Sequence, residues 1–497
     1  MTRHATCATL AGLALAAAAA RAGEQVMAEF KNARAVTPQV LQHVKDKGVV
    51  AEFLDPGDTG LGKSLGYLLW REVLTAISDQ AGAGVIVAEA PPGERLVDMI
   101  AQDYHEAALR IAANQEARLA LWGAVDAEGD RLFVDTYVTV LTAGRASDLR
   151  LRLGVQVAGP PAEAKKVEEE ASVFEARLAR PRFGLATVEV SRAELFDRPL
   201  VAEGTLVVRA RPVADAPPVL RTAPGAVLRA VDMEGGWFKV RLADGRFGYI
   251  PAGRQEGSTG TLVALRVPPK WVEADATGVV LRGGPGGDAP ALGRRDLRGR
   301  FRVLDMRYRG GQGLWYRVAL DDSGGNGWVV GTAVRPRFSI PAVHLMAGLY
   351  RYHAGRFADA AAEFQRFLDA PGVAESPVNR AAVEQLLGAS LLPDRLQTKS
   401  AWQAFTNAIA LTPYDPDVYM VRSVACVGLG RAETALDDVS KALELDPRNA
   451  RARAFAWSIA EVAEGRADPM FQALTRLPSE RARAAELVRR YAIQRPE

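Results

Sequence analysis

The spacing of apolar residues along this chain changes twice, and the changes mark its parts. Between residues 48 and 157, short apolar runs that read as strands alternate with stretches of helical spacing. A short helix over 37–48 leads into a strand at 48–54, which ends at Asp55-Pro56-Gly57. Leu65, Leu68, Leu69, Val73, Leu74 and Ile77 then recur at helical spacing within 61–78. A strand at 84–88 follows, then a helix near 94–114 and a hairpin of 118–125 with 131–141. After a turn at 144–148, a last strand covers 149–157. The order β-α-β-α-β-β-β predicts an α/β sandwich over 23–158. The Pro-led, charge-rich stretch from 159 to about 180 reads as a helical strut. It belongs to a linker, 159–203, that carries one short strand at 186–190.

From 204 the period becomes two. Leu206 alternates with Val208, and Phe238 with Val240 and Leu242, while Asp244-Gly245 supplies the positive φ of a tight hairpin. A looser copy runs from 277 to 333. In both copies an Arg precedes a Pro by three (Arg209 and Pro212, Arg282 and Pro285). A Gly-rich turn ending in Trp follows (Gly235-Gly236-Trp237, Gly313-Leu314-Trp315), then a Gly-aromatic pair (Gly248-Tyr249, Gly327-Trp328). Each copy is too short to bury a core as an open sheet with bare edges, so two small closed barrels are predicted, at 204–253 and 277–335, joined by a polar linker, 254–276, with one strand at 261–267. The pattern resembles bacterial SH3-like (SH3b) domains. It departs from them at Gly248-Tyr249-Ile250, where Tyr and Ile replace a second Trp and a Val, and in the longer insert before Trp315. The resemblance implies a non-catalytic module for peptidoglycan peptide or a protein segment, with Trp237, Tyr249, Trp315 and Trp328 as the ligand-facing aromatics.

After Val334-Arg335-Pro336 the period becomes about 3.6, and 340–497 reads as helical. Ala401, Ala408 and Pro413 are matched by Ala435, Ala442 and Pro447, each pair 34 residues apart. With Gly430-Arg431 before the second helix and Asp446-Pro447 closing it, the unit resembles tetratricopeptide repeats. An earlier unit shows Gly348, Tyr352, Gly355-Arg356-Phe357, Ala360 and Phe364, and a degenerate last one spans 450–464 and 469–477 before a capping helix at 480–492. Pro371, Pro377 and Pro393 interrupt the interval between the first two units. Stacked helix pairs of this kind curve into a surface that can hold a protein partner.

The first domain carries two further signals. Leu61-Gly62 and Leu65-Gly66 on a helix, with an Ala-Leu-Trp-Gly strand over 120–123, are distantly similar to the amino-terminal domains of the Tol translocation protein, curli-secretion lipoproteins and related envelope activators. Gly57-Asp58-Thr59-Gly60-Leu61-Gly62-Lys63-Ser64 fits the phosphate-loop pattern GxxxxGK[ST] between a strand and a helix. In that reading Gly57 and Gly62 shape the loop, Lys63 reaches the phosphates and Ser64 ligates magnesium, as in a nucleotide-binding enzyme or switch. Antiparallel hairpins in place of a parallel sheet, the mid-strand position of the candidate acid Asp135 and an exported setting argue instead for a strand-to-helix turn.

Composition adds limits. The chain has 497 residues and a net charge of +3; Arg3 and Arg21 lie in 1–22, which has no acid, and without them the remainder is +1. No basic block provides an electrostatic footprint for nucleic acid. Arg3, the apolar run 10–20 and Ala20-Arg21-Ala22 read as a cleaved export signal over 1–22, and no later stretch suits a membrane span. Cys7 precedes that run, so a lipid-anchored cysteine is not expected. Cys426 alone then remains, which excludes an intrachain disulfide or a cysteine zinc site. His4, His43, His105, His344 and His353 show no metal-ligand spacing, Asp321-Asp322 reads as a turn, and no GxSxG elbow occurs. The sequence therefore predicts a multidomain, periplasmic or otherwise exported scaffold without cofactor, metal or catalytic residues. Its expected partners are a protein held by the repeats and peptidoglycan held by the barrels.

Overall fold

A computed structural model describes residues 46–77, 80, 83–88, 101–142, 145–146, 149–154, 173–178, 182–253, 265–309, 312–320, 325–370, 377–461 and 478–494. The export signal, the first nine residues of the helix read at 37–48, residues 94–100, most of the charged strut, Asp321-Asp322 and residues 469–477 lie outside these. Two compact units emerge. One joins residues 1–146 with 187–347, and the other joins 147–186 with 348–497.

The first unit opens with a mixed sheet. β1 (Asp46–Ala51) runs parallel to both β2 (Ala83–Ala88) and β3 (Leu119–Glu128). β3 forms an antiparallel hairpin with β4 (Arg131–Thr142), which also pairs with β5 (Arg145–Ala146) and β9 (Val188–Ser191). Strand rather than helix begins at Asp46, because Val49 and Ala51 alternate into the apolar cluster with Ile86, Ala120 and Trp122. Helix α1 (Leu61–Ala76) links β1 to β2, and α2 (Ala101–Asn114) links β2 to β3. Ala108 and Ala112 of α2 join that same cluster. The Leu-Gly step of α1 has a steric cause: a Cβ on Gly62 would lie 2.0 Å from the Phe53 carbonyl oxygen, so only glycine lets the helix start against the strand end.

After a short α3 (Arg192–Phe196), capped by Ser191, β10 (Arg198–Ala202) enters the first SH3-like sheet. That sheet continues with β11 (Val207–Arg209), β12 (Pro218–Arg221), β13 (Val227–Glu234), β14 (Trp237–Arg241), β15 (Phe247–Pro251) and β16 (Leu265–Arg266), in the order β12-β11-β15-β14-β13-β10-β16. The sequence reading had no strand at 198–202, since five apolar-to-polar residues after a helix carry no period of their own. The sheet of the second copy comprises β17 (Trp271–Arg282), β18 (Ala291–Arg309), β19 (Gly313–Ala319), β20 (Asn326–Val330) and β21 (Arg335–Arg337). Here β17 pairs with β18, β20 and β21.

In the second unit β6 (Leu149–Gly154) pairs along its length with β7 (Val173–Leu178), a two-stranded sheet among the described residues. Two expectations change: the strand read at 149–157, described over Leu149–Gly154, pairs with β7 instead of joining the α/β sheet, and the strut read as helical to about 180 is extended over Val173–Leu178. β8 (Arg182–Gly184) follows, with Phe183 fully buried. Helix α4 (Ala342–His353) spans the division at 347, and the helices that follow are α5 (Phe357–Leu368), α6 (Pro377–Leu391), α7 (Thr398–Leu411), α8 (Pro416–Gly428), α9 (Ala432–Leu445), α10 (Ala450–Glu461) and α11 (Pro478–Arg490). Consecutive helices pack on one another from α5 to α10, and α11 packs on α10. Pro377 does not interrupt the array but opens α6, where its missing N–H costs nothing. Ala401, Ala408, Ala435 and Ala442 are all fully buried, as the 34-residue spacing predicts for tetratricopeptide-like hairpins. Gly348 abuts the ring of Phe364, and Gly388 that of Phe405, which marks α6–α7 as a full repeat.

Candidate functional site

The two SH3-like sheets share more than their aromatic motifs. Arg209 Nη1 donates to the Ala216 carbonyl at 2.7 Å, and Arg282 Nη1 donates to Ala289 at 2.6 Å. The motif arginine thus braces the loop that follows it in each copy. A second shared device was missed in the sequence. A bulge ends at Asp232 in one copy and at Asp305 in the other, and each carboxylate accepts from the next amide, Met233 at 2.8 Å and Met306 at 2.7 Å. An arginine from the segment before each copy closes on it: Arg192 on Asp232 at 2.9 Å and Arg266 on Asp305 at 3.0 Å. Arg209 to Arg282 and Asp232-Met233 to Asp305-Met306 have the same separation in the chain, 73 residues, which was the signal available to sequence reasoning.

The aromatics differ in exposure. On the outer face of the first sheet, β14 and β15 set Lys239 opposite Tyr249, Arg241 opposite Phe247 and Trp237 opposite Pro251. Lys239 Nζ pairs with Glu234 at 2.8 Å and lies 5.2 Å from the Phe247 ring and 5.9 Å from the Tyr249 ring. The hydrogen bond from Lys239 to Glu234 holds the ammonium pKa above its usual value, and desolvation raises that of the Tyr249 phenol. Trp237 and Tyr249 are half-buried, and Phe247, which sequence reasoning did not single out, is 42% exposed. The second copy does not present such a face. Trp315 and Trp328 are only 5% and 7% exposed. The longer hairpin pairs Arg309 with Gly313 and so carries Trp315 two residues into the ladder, opposite Arg307, whereas Trp237 sits at the mouth of its turn.

The loop 57–64 is occupied by the protein itself. The Asp55 carboxylate accepts from the amides of Thr59 (3.0 Å), Leu61 (2.9 Å) and Gly62 (3.3 Å), the positions at which a phosphate would need free N–H groups. Ser64 is fully buried; its hydroxyl donates to the Gly60 carbonyl at 2.9 Å and accepts from the Gly236 amide at 3.1 Å. The chain thus brings Gly57, Gly62, Lys63 and Ser64 together as a turn whose end meets the Gly235-Gly236 hairpin, and the phosphate-loop reading has no support in this geometry. Two helical turns on, Arg71 donates to the Ala252 carbonyl at 2.7 Å and to Leu265 at 2.9 Å, and burial lowers its pKa to about 10.

Among the described residues no group of three or more His, Cys, Asp and Glu side chains could hold a metal ion. No described helix is long and apolar enough to cross a membrane. Cys426 is buried and its thiol is pushed up to about 12, first by desolvation and then by Asp438, so its nucleophilic form is suppressed.

Among solved structures, the chain is similar to MamA from Desulfovibrio magneticus RS-1, residue 41 to the end, with 20% identity over 31% of this chain and 74% of that one and a TM-score of 0.24. It is also similar to the first TPR of Spaghetti (RPAP3) bound to the HSP90 peptide SRMEEVD, with 21% identity over 25% and 93% and a TM-score of 0.22. The first TPR domain of human RPAP3 gives 21% identity over 29% and 95% and a TM-score of 0.21. No curated protein matches. The segment that carries the aromatic face, residues 202–256, matches the family described as the bacterial SH3 domain.

Proposed function

We propose that this chain is an exported, non-enzymatic adaptor that engages a cell-wall peptide or a protein segment through the first SH3-like module and a second protein through the helical array. The observation that carries the reading is the outward grouping of Trp237, Phe247 and Tyr249 around the Lys239–Glu234 pair. Rings to stack on, beside one cation and one anion, suit a short segment with both amine and carboxylate groups. Both sheets are read as small barrels. The return of β17 to both β18 and β20 supports closure in the second, which serves in this reading as a spacer because its two tryptophans are covered. Residues 57–64 act as a structural turn, and residues 1–22 direct export.

Co-sedimentation of the protein lacking residues 1–22 with purified cell wall tests the first half. Trp237→Ala and Phe247→Ala should each reduce the pelleted fraction at least threefold, while Trp328→Phe should leave it unchanged. Absence of pelleting by the unaltered protein would remove the cell-wall ligand. Recovery of the protein from the cytosol after fractionation would remove the export reading.

A further inference from the structure

The helices of the array are not covered alike. In α7 the buried residues are Thr398, Ala401, Ala404, Phe405 and Ala408, a single stripe of the kind expected for a helix with one packed face. In α6, ten consecutive residues, 381–390, are buried, including Glu384, Gln385 and Ser390. A helix can be buried through almost three turns only if it is covered on every side. α8 is similar, with Val418–Val421 and Ser423–Val427 buried. α6 and α8 are the first helices of successive hairpins, and what lies against them, besides their neighbours in the array, is the strand pair: β6 packs on α6 and β7 on α8. Leu151 of β6 is fully buried, and Asn379 of α6 donates a side-chain hydrogen bond to the backbone carbonyl of Gly184.

We propose that the face formed by α6 and α8 is a receptor for extended, strand-paired backbone, and that its resident ligand is this chain's own strand pair, β6 (Leu149–Gly154) with β7 (Val173–Leu178). A protein partner for this face presents a strand or hairpin, not an amphipathic helix, and takes it by replacing β6–β7. This deepens the reading that the array holds a second protein and rests on it. The contacts suit replacement: β6–β7 is a two-stranded sheet of its own, and an isolated hairpin is marginal in water without a surface to lie on. The chemistry is also general, because Asn379 binds a backbone carbonyl that any extended segment can supply.

The test uses the full chain, unaltered and as Leu151→Asp, with two readouts. The first is hydrogen exchange resolved by segment. In L151D, protection should fall at least tenfold over 149–154 and 173–178 and along α6 and α8, while α7 and α9 keep theirs. The second is binding of a fluorescent synthetic peptide of residues 145–186. L151D should bind it saturably, at least tenfold more tightly than the unaltered chain, and Asn379→Ala in the L151D background should weaken it. If α7 and α9 lose protection together with the hairpin, β6–β7 is core and not a ligand, and the proposal fails. It fails too if the peptide binds both chains alike or neither. Capture of a protein partner by a chain whose hairpin stays protected would reject this inference and leave the adaptor reading standing.

Discussion

The SH3-like module and the second, looser copy share their arginine brace, their bulge and their buried Met and set their aromatics on the same face, yet one leaves that face open and the other covers it. In the first, a two-residue turn leaves Trp237 at the edge of the ladder, and Lys239 lies against Phe247 and Tyr249 on the open face. In the second, the hairpin runs on past Trp315, and Trp328 lies between Arg282 and Arg317, its partners on β17 and β19. Both rings lie on the same face as Arg317, opposite the cluster of Tyr316, Val318 and Val329, yet they are only 5% and 7% exposed. The same motif residue is therefore open in one copy and covered in the other. The glycine of the Gly-aromatic pair is used alike in both: a Cβ on Gly248 would come within 2.4 Å of Val208, and one on Gly327 within 3.3 Å of Leu281.

The largest effect that could break this comparison is on stability. Trp315→Ala removes a buried ring and should cost about 3–5 kcal/mol, whereas Trp237→Ala at a half-buried site should cost about 1 kcal/mol. Urea unfolding of both variants measures the gap, and equal costs would mean that the covered and open assignments are wrong. Trp315→Phe sharpens the point. The Trp315 indole N–H has no partner among the described residues, so removing it offsets part of the lost packing, and the variant should lose less than half of what Trp315→Ala loses.

Next in size is the arginine clamp. Asp305 is 5% exposed and satisfies both Arg266 and the Met306 amide, so Asp305→Ala leaves Arg266 to Glu203 and the Met306 carbonyl, leaves the buried amide without its acceptor, and should cost about 2–3 kcal/mol. The matching Asp232–Arg192 pair is a quarter exposed on each side. Asp232→Ala should cost about 1–2 kcal/mol. Melting temperatures of the two variants rank them, and the reverse order would show that Glu203, which also holds Arg266 at 3.0 Å, suffices to anchor it.

These contrasts show what the sequence could and could not reveal. Period and turn chemistry located α1, the β3–β4 hairpin, both aromatic motifs and the alanine spacing of α7 and α9, because each depends on neighbours within a few residues. Long-range pairing was invisible. Val173–Leu178 follows a Glu-rich run that favours a helix, and only its ladder with β6 makes it a strand. Arg198–Ala202 becomes a strand because β13 and β16 flank it. The loop 57–64 satisfied a local pattern in full, but the groups that occupy its amides and its serine, Asp55 and Gly236, lie outside the pattern. Exposure of the site aromatics depends on what lies over their face, which a motif does not encode.

A smaller effect lies in the pH dependence of the first unit. Glu72 is buried and its pKa lies above the usual carboxylate value, chiefly through desolvation, with Arg198 at 2.9 Å opposing the shift. A raised folded-state pKa means that stability from this group is full below the unfolded value of about 4.5 and is lost as pH rises through the folded value. The melting temperature of the unaltered chain, relative to that of Glu72→Gln, should therefore fall as pH rises from 4.5 and then level. A relative rise over that window would mean that Arg198 outweighs burial.

The smallest effect tests the open face itself. Lys239 pairs with Glu234 at a partly exposed site, so Lys239→Ala should change stability by less than about 1 kcal/mol. Its pKa is raised by that pairing, so whatever the pair contributes is present below the unfolded Lys value of about 10.4 and disappears as pH climbs through the folded one. Stability and binding separate here. If the face is a binding surface, Lys239→Ala should lower cell-wall pelleting severalfold while thermal melts at pH 7 stay within a degree or two. The second module offers the control, because Arg317, the residue opposite Trp328 as Lys239 is opposite Tyr249, is held by Asn326 at 2.9 Å beside a covered ring. Arg317→Ala should then leave pelleting unchanged, and equal losses from the two variants would mean that both modules bind and that aromatic exposure is not what distinguishes them.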